Sequence, residues 1–171
     1  LVYNREGLDR IRDAAGRHPV VLVPMHRSHL DYLLISYIFY NEKITFPHIC
    51  AGLNLNFWPV GRFIRKAGGF FIRRSFSGNT TYKETLATYM RSLMAANYCV
   101  EFFIEGTRSR TGKLLKPKMG ALSLLMKAYF DGSCEDIRFV PIAVSYDQIP
   151  EQKAYRAESS GAEKTKENAG E

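Results

Sequence analysis

A histidine five residues ahead of an aspartate, in His26-Arg27-Ser28-His29-Leu30-Asp31, is the pairing in this chain best suited to proton transfer. An imidazole whose Nδ1-H is held by a carboxylate keeps Nε2 unprotonated and outward, and the carboxylate offsets the charge that develops when Nε2 takes a proton. Such a base can deprotonate an alcohol. Two residues five apart on one continuous helix lie roughly 140° apart and cannot face each other, so His26 has to precede the helix that carries Asp31. Ser28 then reads as an N-cap, with Asp31 where a capping box places its acidic residue. The competing role for Asp31 is plain helix capping, with His26 a polar loop residue. His29 reads as support for the loop. No metal site is expected, because His18, His26, His29 and His48 show no paired ligand spacing and Cys50, Cys99 and Cys134 lie far from them.

The elements around the pair have to bring it to a cleft. Pro19 to Pro24 is a β-branched run bounded by prolines and reads as a strand from Val20 to Met25; Leu30 to Tyr40 reads as an apolar helix. Helical and strand signals then alternate. Helices are expected at Arg5 to Ala15, Phe57 to Lys66, Thr80 to Ala96 and Met119 to Phe130. Strands are expected at Phe46 to Ala51, Gly69 to Ile72, Val100 to Ile104 and Phe139 to Ser145. This alternation predicts an α/β fold, a single layered domain with a largely parallel central sheet flanked by helices. Ligands of such sheets gather at the carboxyl ends of the strands, where the sequence places His26, Arg73 with Arg74, and Glu105 to Arg110.

Two of those strand ends look built for an anion. Gly69-Phe70-Phe71-Ile72 runs into Arg73 and Arg74, of which one can readily enter a given cleft because strand neighbours point to opposite faces. Phe102-Phe103-Ile104 runs into Glu105-Gly106-Thr107-Arg108-Ser109-Arg110, a carboxylate, a turn-permitting glycine, hydroxyls and arginines. Glu105 is open to two roles, positioning a substrate hydroxyl or pairing with an arginine. Val140 to Val144, with Pro141, reads as a core strand. Asn54 to Lys66 interleaves aromatics with Arg62, Arg65 and Lys66; a core-facing helix with a basic outer side is expected there ahead of a lipid-facing one.

The 171 residues suit one domain, and 46% hydrophobic content with 13% aromatic residues excludes disorder for most of it. The domain is expected to span residues 1–150. Residues 151–171 read as a polar C-terminal segment, either flexible or a solvated helix. The net charge is +7, and that segment, with four basic and five acidic residues, contributes none of the excess. A basic domain suits nucleic acid, anionic lipid or a phosphorylated substrate. Nucleic acid is disfavoured, because the aromatics sit within apolar runs rather than among exposed lysines. Three scattered cysteines argue against a disulfide framework, and neither a signal peptide nor a membrane-spanning stretch is read.

In order along the chain, His26 to Asp31 followed by Tyr32-Leu33-Leu34, Gly69 to Arg74, Phe103 to Arg110 and Val140 to Tyr146 resemble the four blocks of the glycerolipid acyltransferases with a His-x-x-x-x-Asp motif. The likeness is to the glycerol-3-phosphate and dihydroxyacetone-phosphate branch, and it runs from about Val20 to Tyr155. Ile104 stands where the 1-acylglycerol-3-phosphate enzymes usually have proline. The resemblance implies acyl transfer from acyl-CoA or acyl carrier protein to the sn-1 hydroxyl of glycerol 3-phosphate, with no cofactor beyond the acyl donor. It implies His26 as base and Asp31 as its partner. It puts Arg73 or Arg74, with Glu105, Gly106, Thr107 and Arg108, at the phosphorylated acceptor, and links Pro141 to the donor side or to pocket shape. It further implies a peripheral position at the cytoplasmic face of a membrane surface. A core that binds lipid without turnover, and a dihydroxyacetone-phosphate or 1-acylglycerol-3-phosphate enzyme, are the alternatives.

Overall fold

The computed structural model describes residues 1–73 and 78–161. Five parallel strands form one sheet in the order β3-β2-β4-β1-β5, where β1 is Val20–Pro24, β2 His48–Gly52, β3 Phe70–Ile72, β4 Val100–Glu101 and β5 Arg138–Ile142. Six α-helices connect and flank them: α1 Arg5–Ala14, α2 Leu30–Asn41, α3 Val60–Lys66, α4 Thr80–Ala95, α5 Met119–Phe130 and α6 Gln152–Ser159. The expected α/β layering is therefore the observed fold.

Alternation along the strands divides the interior in two. Val21, Cys50, Val100 and Phe102 pack with Leu86, Met90 and Met94 of α4 and Leu125 of α5. On the other face, Val20 and Leu22 pack with Leu8 and Ile11 of α1 and Ile35 and Phe39 of α2. Each such apolar side chain withdrawn from water stabilises the fold by about 1.5–3 kcal/mol. Glu101, paired in register with Leu22, belongs to the α1/α2 side.

Several boundaries differ from expectation. The strand expected over Val100 to Ile104 pairs only at Val100 and Glu101, because Phe102 and the residues after it turn toward the site. The helix expected from Phe57 starts at Val60, after a 3-10 turn at Leu53–Leu55. Its facing is also reversed: Gly61 is the buried residue, while Phe63 and Trp58 stand in solvent. Gly61 packs so tightly that a Cβ there would meet the Asn56 backbone at 3.0 Å. A small residue, not an aromatic, makes that contact.

Of the two alternatives for the segment from Glu151 on, Gln152–Ser159 is the helix, α6, but it is docked rather than merely solvated: Tyr155 is only 5% exposed. One aromatic and two ion pairs, Arg108 with Glu151 and Arg110 with Glu158, dock it, which a polar composition conceals. The packed unit thus continues past residue 150 through α6.

Candidate active site

β1 ends at Pro24, and Met25 still bonds the Ile142 carbonyl of β5, so His26 is the first residue beyond the sheet's central ladder. Its backbone carbonyl accepts the Ser109 amide at 2.7 Å, and its own amide donates to Glu105 Oε1 at 3.4 Å. The two loops are thus fastened together by main chain and one carboxylate. Its imidazole stacks at 4.0 Å on the Phe103 ring and is 5% exposed.

Asp31 is wholly buried in the first turn of α2 and accepts four hydrogen bonds. Its Oδ2 takes His26 Nδ1 at 2.8 Å and the amides of Arg27 and Ser28 at 2.7 and 3.0 Å; Oδ1 takes the Tyr146 hydroxyl at 2.6 Å. Burial pushes this carboxyl up, yet the bonds from His26, Tyr146, Ser28 and Arg27 together outweigh it and hold Asp31 below the usual carboxylate range. An ionised Asp31 is acceptor only, so Nδ1 of His26 carries the proton and Nε2 is the basic nitrogen. The Tyr32 hydroxyl donates to that Nε2 at 3.1 Å. Burial pushes the Tyr32 phenol up to about 12, which keeps it a donor.

The expected capping box is present with its cap displaced by one residue. His29 stands at the cap position without a side-chain cap bond; the Ser28 hydroxyl accepts the Leu30 amide at 3.1 Å, and Asp31 returns the bond to the Ser28 amide. Asp31 therefore both caps α2 and holds His26. The two roles weighed from the sequence are compatible.

Glu105 is fastened to the main chain on both sides of the site. It is buried, and its carboxylate takes the His26 amide and, at 3.0 Å, the Leu115 amide. Gly106 adopts φ +66°, where a side chain would be strained, and closes a turn on the Phe103 carbonyl at 2.9 Å. Thr107 is exposed at the turn. Arg108 points across to α6, donating to the Tyr155 hydroxyl at 2.9 Å and lying 3.4 Å from Glu151. Glu151 in turn accepts the Ser28 hydroxyl and the His29 amide, each at 2.9 Å, while Arg110 pairs with Glu158 and covers the Tyr155 ring. A cavity of about 560 Å³ opens beside these contacts, with Arg27, Arg110, Tyr146, Tyr155 and Arg156 in its wall.

The remaining candidates lie further out. Pro141 is on β5, in register with Val23 of β1, immediately beside the strand that delivers His26. Arg73 follows β3 at the sheet edge, its guanidinium over the Tyr82 ring at 4.9 Å. β2 and β4 separate β3 from β1, so Arg73 stands roughly 14 Å from the His26 strand at normal strand spacing. Arg74 falls outside the described residues. Among the described residues no cluster of three His, Cys, Asp or Glu side chains is arranged to hold a metal ion.

Sequence reasoning missed Tyr32, Tyr146, Glu151 and Tyr155 as site residues. Tyr32 and Tyr146 lay inside the quoted blocks; Glu151 and Tyr155 lay in the stretch read as a tail. Burial pushes the Cys50 and Cys99 thiols up to about 12 and raises that of Cys134 as well.

A parallel sheet thus delivers a carboxylate-held histidine to its carboxyl end, beside a Glu-Gly-Thr-Arg turn, an arrangement able to take a proton from an alcohol. The family model Acyltransferase matches residues 2–145, and the chain belongs to that family. It is 49% identical over 166 residues to a glycerol-3-phosphate acyltransferase of Pasteurella multocida, and 50% identical over 166 residues to one of Actinobacillus succinogenes. A glycerol-3-phosphate acyltransferase of Haemophilus influenzae is 50% identical over 163 residues. These alignments cover 95 to 96% of this chain but 20% of each relative, so the chain spans about one fifth of their length.

Proposed function

We propose that this chain is the catalytic core of a glycerol-3-phosphate 1-O-acyltransferase that uses acyl-CoA or acyl carrier protein as donor. The observation that carries the reading is the buried His26–Asp31 pair with a basic Nε2. Nε2 takes the proton of the sn-1 hydroxyl as that oxygen attacks the thioester carbonyl carbon. The tetrahedral intermediate then collapses, the carbon–sulfur bond breaks, and the departing thiolate recovers the proton from His26. No covalent acyl-enzyme and no cofactor beyond the donor are needed.

The Tyr32 hydroxyl occupies the Nε2 position that the acceptor hydroxyl needs, so acceptor binding begins with its displacement. The Gly106 and Ser109 amides are spent on the Phe103 and His26 carbonyls, so neither is spare for the oxyanion. Arg27 and Arg156 in the cavity wall supply positive charge for the acceptor phosphate, beside Arg108 and Arg110, which are paired with Glu151 and Glu158. The reaction is expected at a membrane surface, since acyl donor and product are amphiphiles. No helix among the described residues is long and apolar enough to cross a membrane.

The test is thiol release from palmitoyl-CoA with and without glycerol 3-phosphate, in this chain and in a full-length relative altered at the matching histidine. Release that depends on glycerol 3-phosphate and falls about 10²- to 10⁴-fold in His26→Ala is expected. Release that ignores the acceptor, or survives the substitution, overturns the reading.

A further inference from the structure

The charge of this chain is concentrated in one stretch. Between Glu42 and Glu84 there is no acidic residue, while Lys43, Arg62, Arg65, Lys66, Arg73, Arg74 and Lys83 are all basic. The rest of the chain holds seventeen basic and seventeen acidic residues, so the whole net charge of +7 resides in these forty-one positions.

The same stretch exposes its large apolar side chains. Trp58 is 83% exposed and Phe63 69%, with Leu53 and Phe57 also exposed. Arg62 and Lys66 flank Phe63 on the solvent side of α3 and are themselves exposed. Leu53 to Trp58 follow the carboxyl end of β2, the same end of the sheet from which β1 delivers His26. Aromatic side chains standing in water beside uncompensated cations match an anionic bilayer, where the rings enter the headgroup boundary and the cations meet lipid phosphates. Tryptophan in particular favours that boundary.

We infer that the Leu53 to Lys66 surface docks on an anionic lipid bilayer, turning the carboxyl end of the sheet toward the membrane. This deepens the acyltransferase reading and rests on it for the lipid chemistry at the neighbouring site. The occupant is lipid rather than another part of a longer protein or a second copy, because a protein face covering this patch would have to bring acidic residues to neutralise it. The surface of this chain outside the stretch offers no net negative charge to do so.

Trp58 is the sole tryptophan, so its fluorescence reports on this surface directly. The chain is titrated with vesicles of phosphatidylglycerol and phosphatidylcholine in equal parts, and with vesicles of phosphatidylcholine alone. A blue shift with quenching by brominated acyl chains is expected on the anionic vesicles only. Arg62→Glu with Lys66→Glu should weaken partitioning about tenfold or more, whereas Arg10→Glu on α1 with Arg17→Glu in the turn after it, an equal change in net charge, should weaken it far less. No shift on anionic vesicles, an equal shift on neutral ones, or equal loss in both double variants overturns the inference. So does a Trp58 shielded from acrylamide in a full-length relative, which would mean that protein covers the patch. Thiol release from a soluble short-chain acyl-CoA is followed in the same samples. Docking lost with release intact condemns only the surface; release lost with docking intact condemns only the acyltransferase reading.

Discussion

Asp31 and Glu101 are both completely buried carboxyl groups on the α2 side of one sheet, close enough that the charge of Asp31 raises the pKa of Glu101. Their treatment is opposite. Asp31 receives four donors and stays ionised; neither oxygen of Glu101 has a hydrogen-bond partner among the described residues, and burial, with Asp31 adding to it, pushes that carboxyl up to about 8. Burial therefore does not decide the charge of a carboxyl group; the supply of donors does. At Asp31 the domain keeps a buried negative charge where a base has to be held, and at Glu101 it leaves the carboxyl neutral at pH 7.

The largest effect should come from removing the charge that the donors sustain. In Asp31→Asn, His26 loses its anionic partner, and turnover is expected to fall by about 10²–10⁴-fold with a smaller change in KM, measured by thiol release. A fall of less than tenfold would reduce Asp31 to the helix cap alone. Removing a single donor should do less. Tyr146→Phe deletes one bond to an ionised group, generally worth about 1.5–3 kcal/mol, so a loss of roughly tenfold in turnover is expected. Because Asp31 is held below its ordinary value, its stabilising effect is present above that value and disappears as pH falls through the folded one; Tyr146→Phe should therefore move acid unfolding to higher pH.

Glu101→Gln should leave turnover nearly unchanged. Its signature is in stability. A carboxyl raised from its ordinary 4.5 to about 8 keeps its proton in the fold while the unfolded chain has lost it, so stability declines as pH rises through that window. The urea midpoint of the unaltered chain is expected to be lower at pH 9 than at pH 6, and the difference should shrink in Glu101→Gln. An undiminished difference would mean that Glu101 is already ionised at neutral pH, and the contrast with Asp31 would collapse.

The half of this comparison that was legible in the sequence is the local half. His26 and Asp31 are five residues apart, and a strand-to-helix turn alone brings them together, so spacing sufficed. The strand and helix alternation was readable for the same reason: each element declares its own period. Tyr146 and Glu151 reach the site from 115 and 123 residues beyond their partners, through tertiary packing that no local period encodes. Tyr155 was hidden because a single aromatic in a polar run is enough to dock a two-turn helix when charged neighbours have partners across the interface. Glu101 was visible as an acidic residue between Val100 and Phe102, but its meaning depended on β4 lying between β2 and β1. Strand order is set by packing of both faces at once. The outward Phe63 reversed an expectation because Gly61, which the hydrophobic pattern ignores, makes the close contact.

Two of the cysteines acquire a consequence from the proposed chemistry. An activated thioester is the natural prey of a thiolate, and an enzyme that holds one repeatedly risks acylating itself. With Cys50 and Cys99 pushed up to about 12, only about one thiol in a hundred thousand of either is ionised at pH 7. Burial thus keeps Cys50 and Cys99 unreactive toward the reagent, and the acyl group has the acceptor alcohol as its outlet.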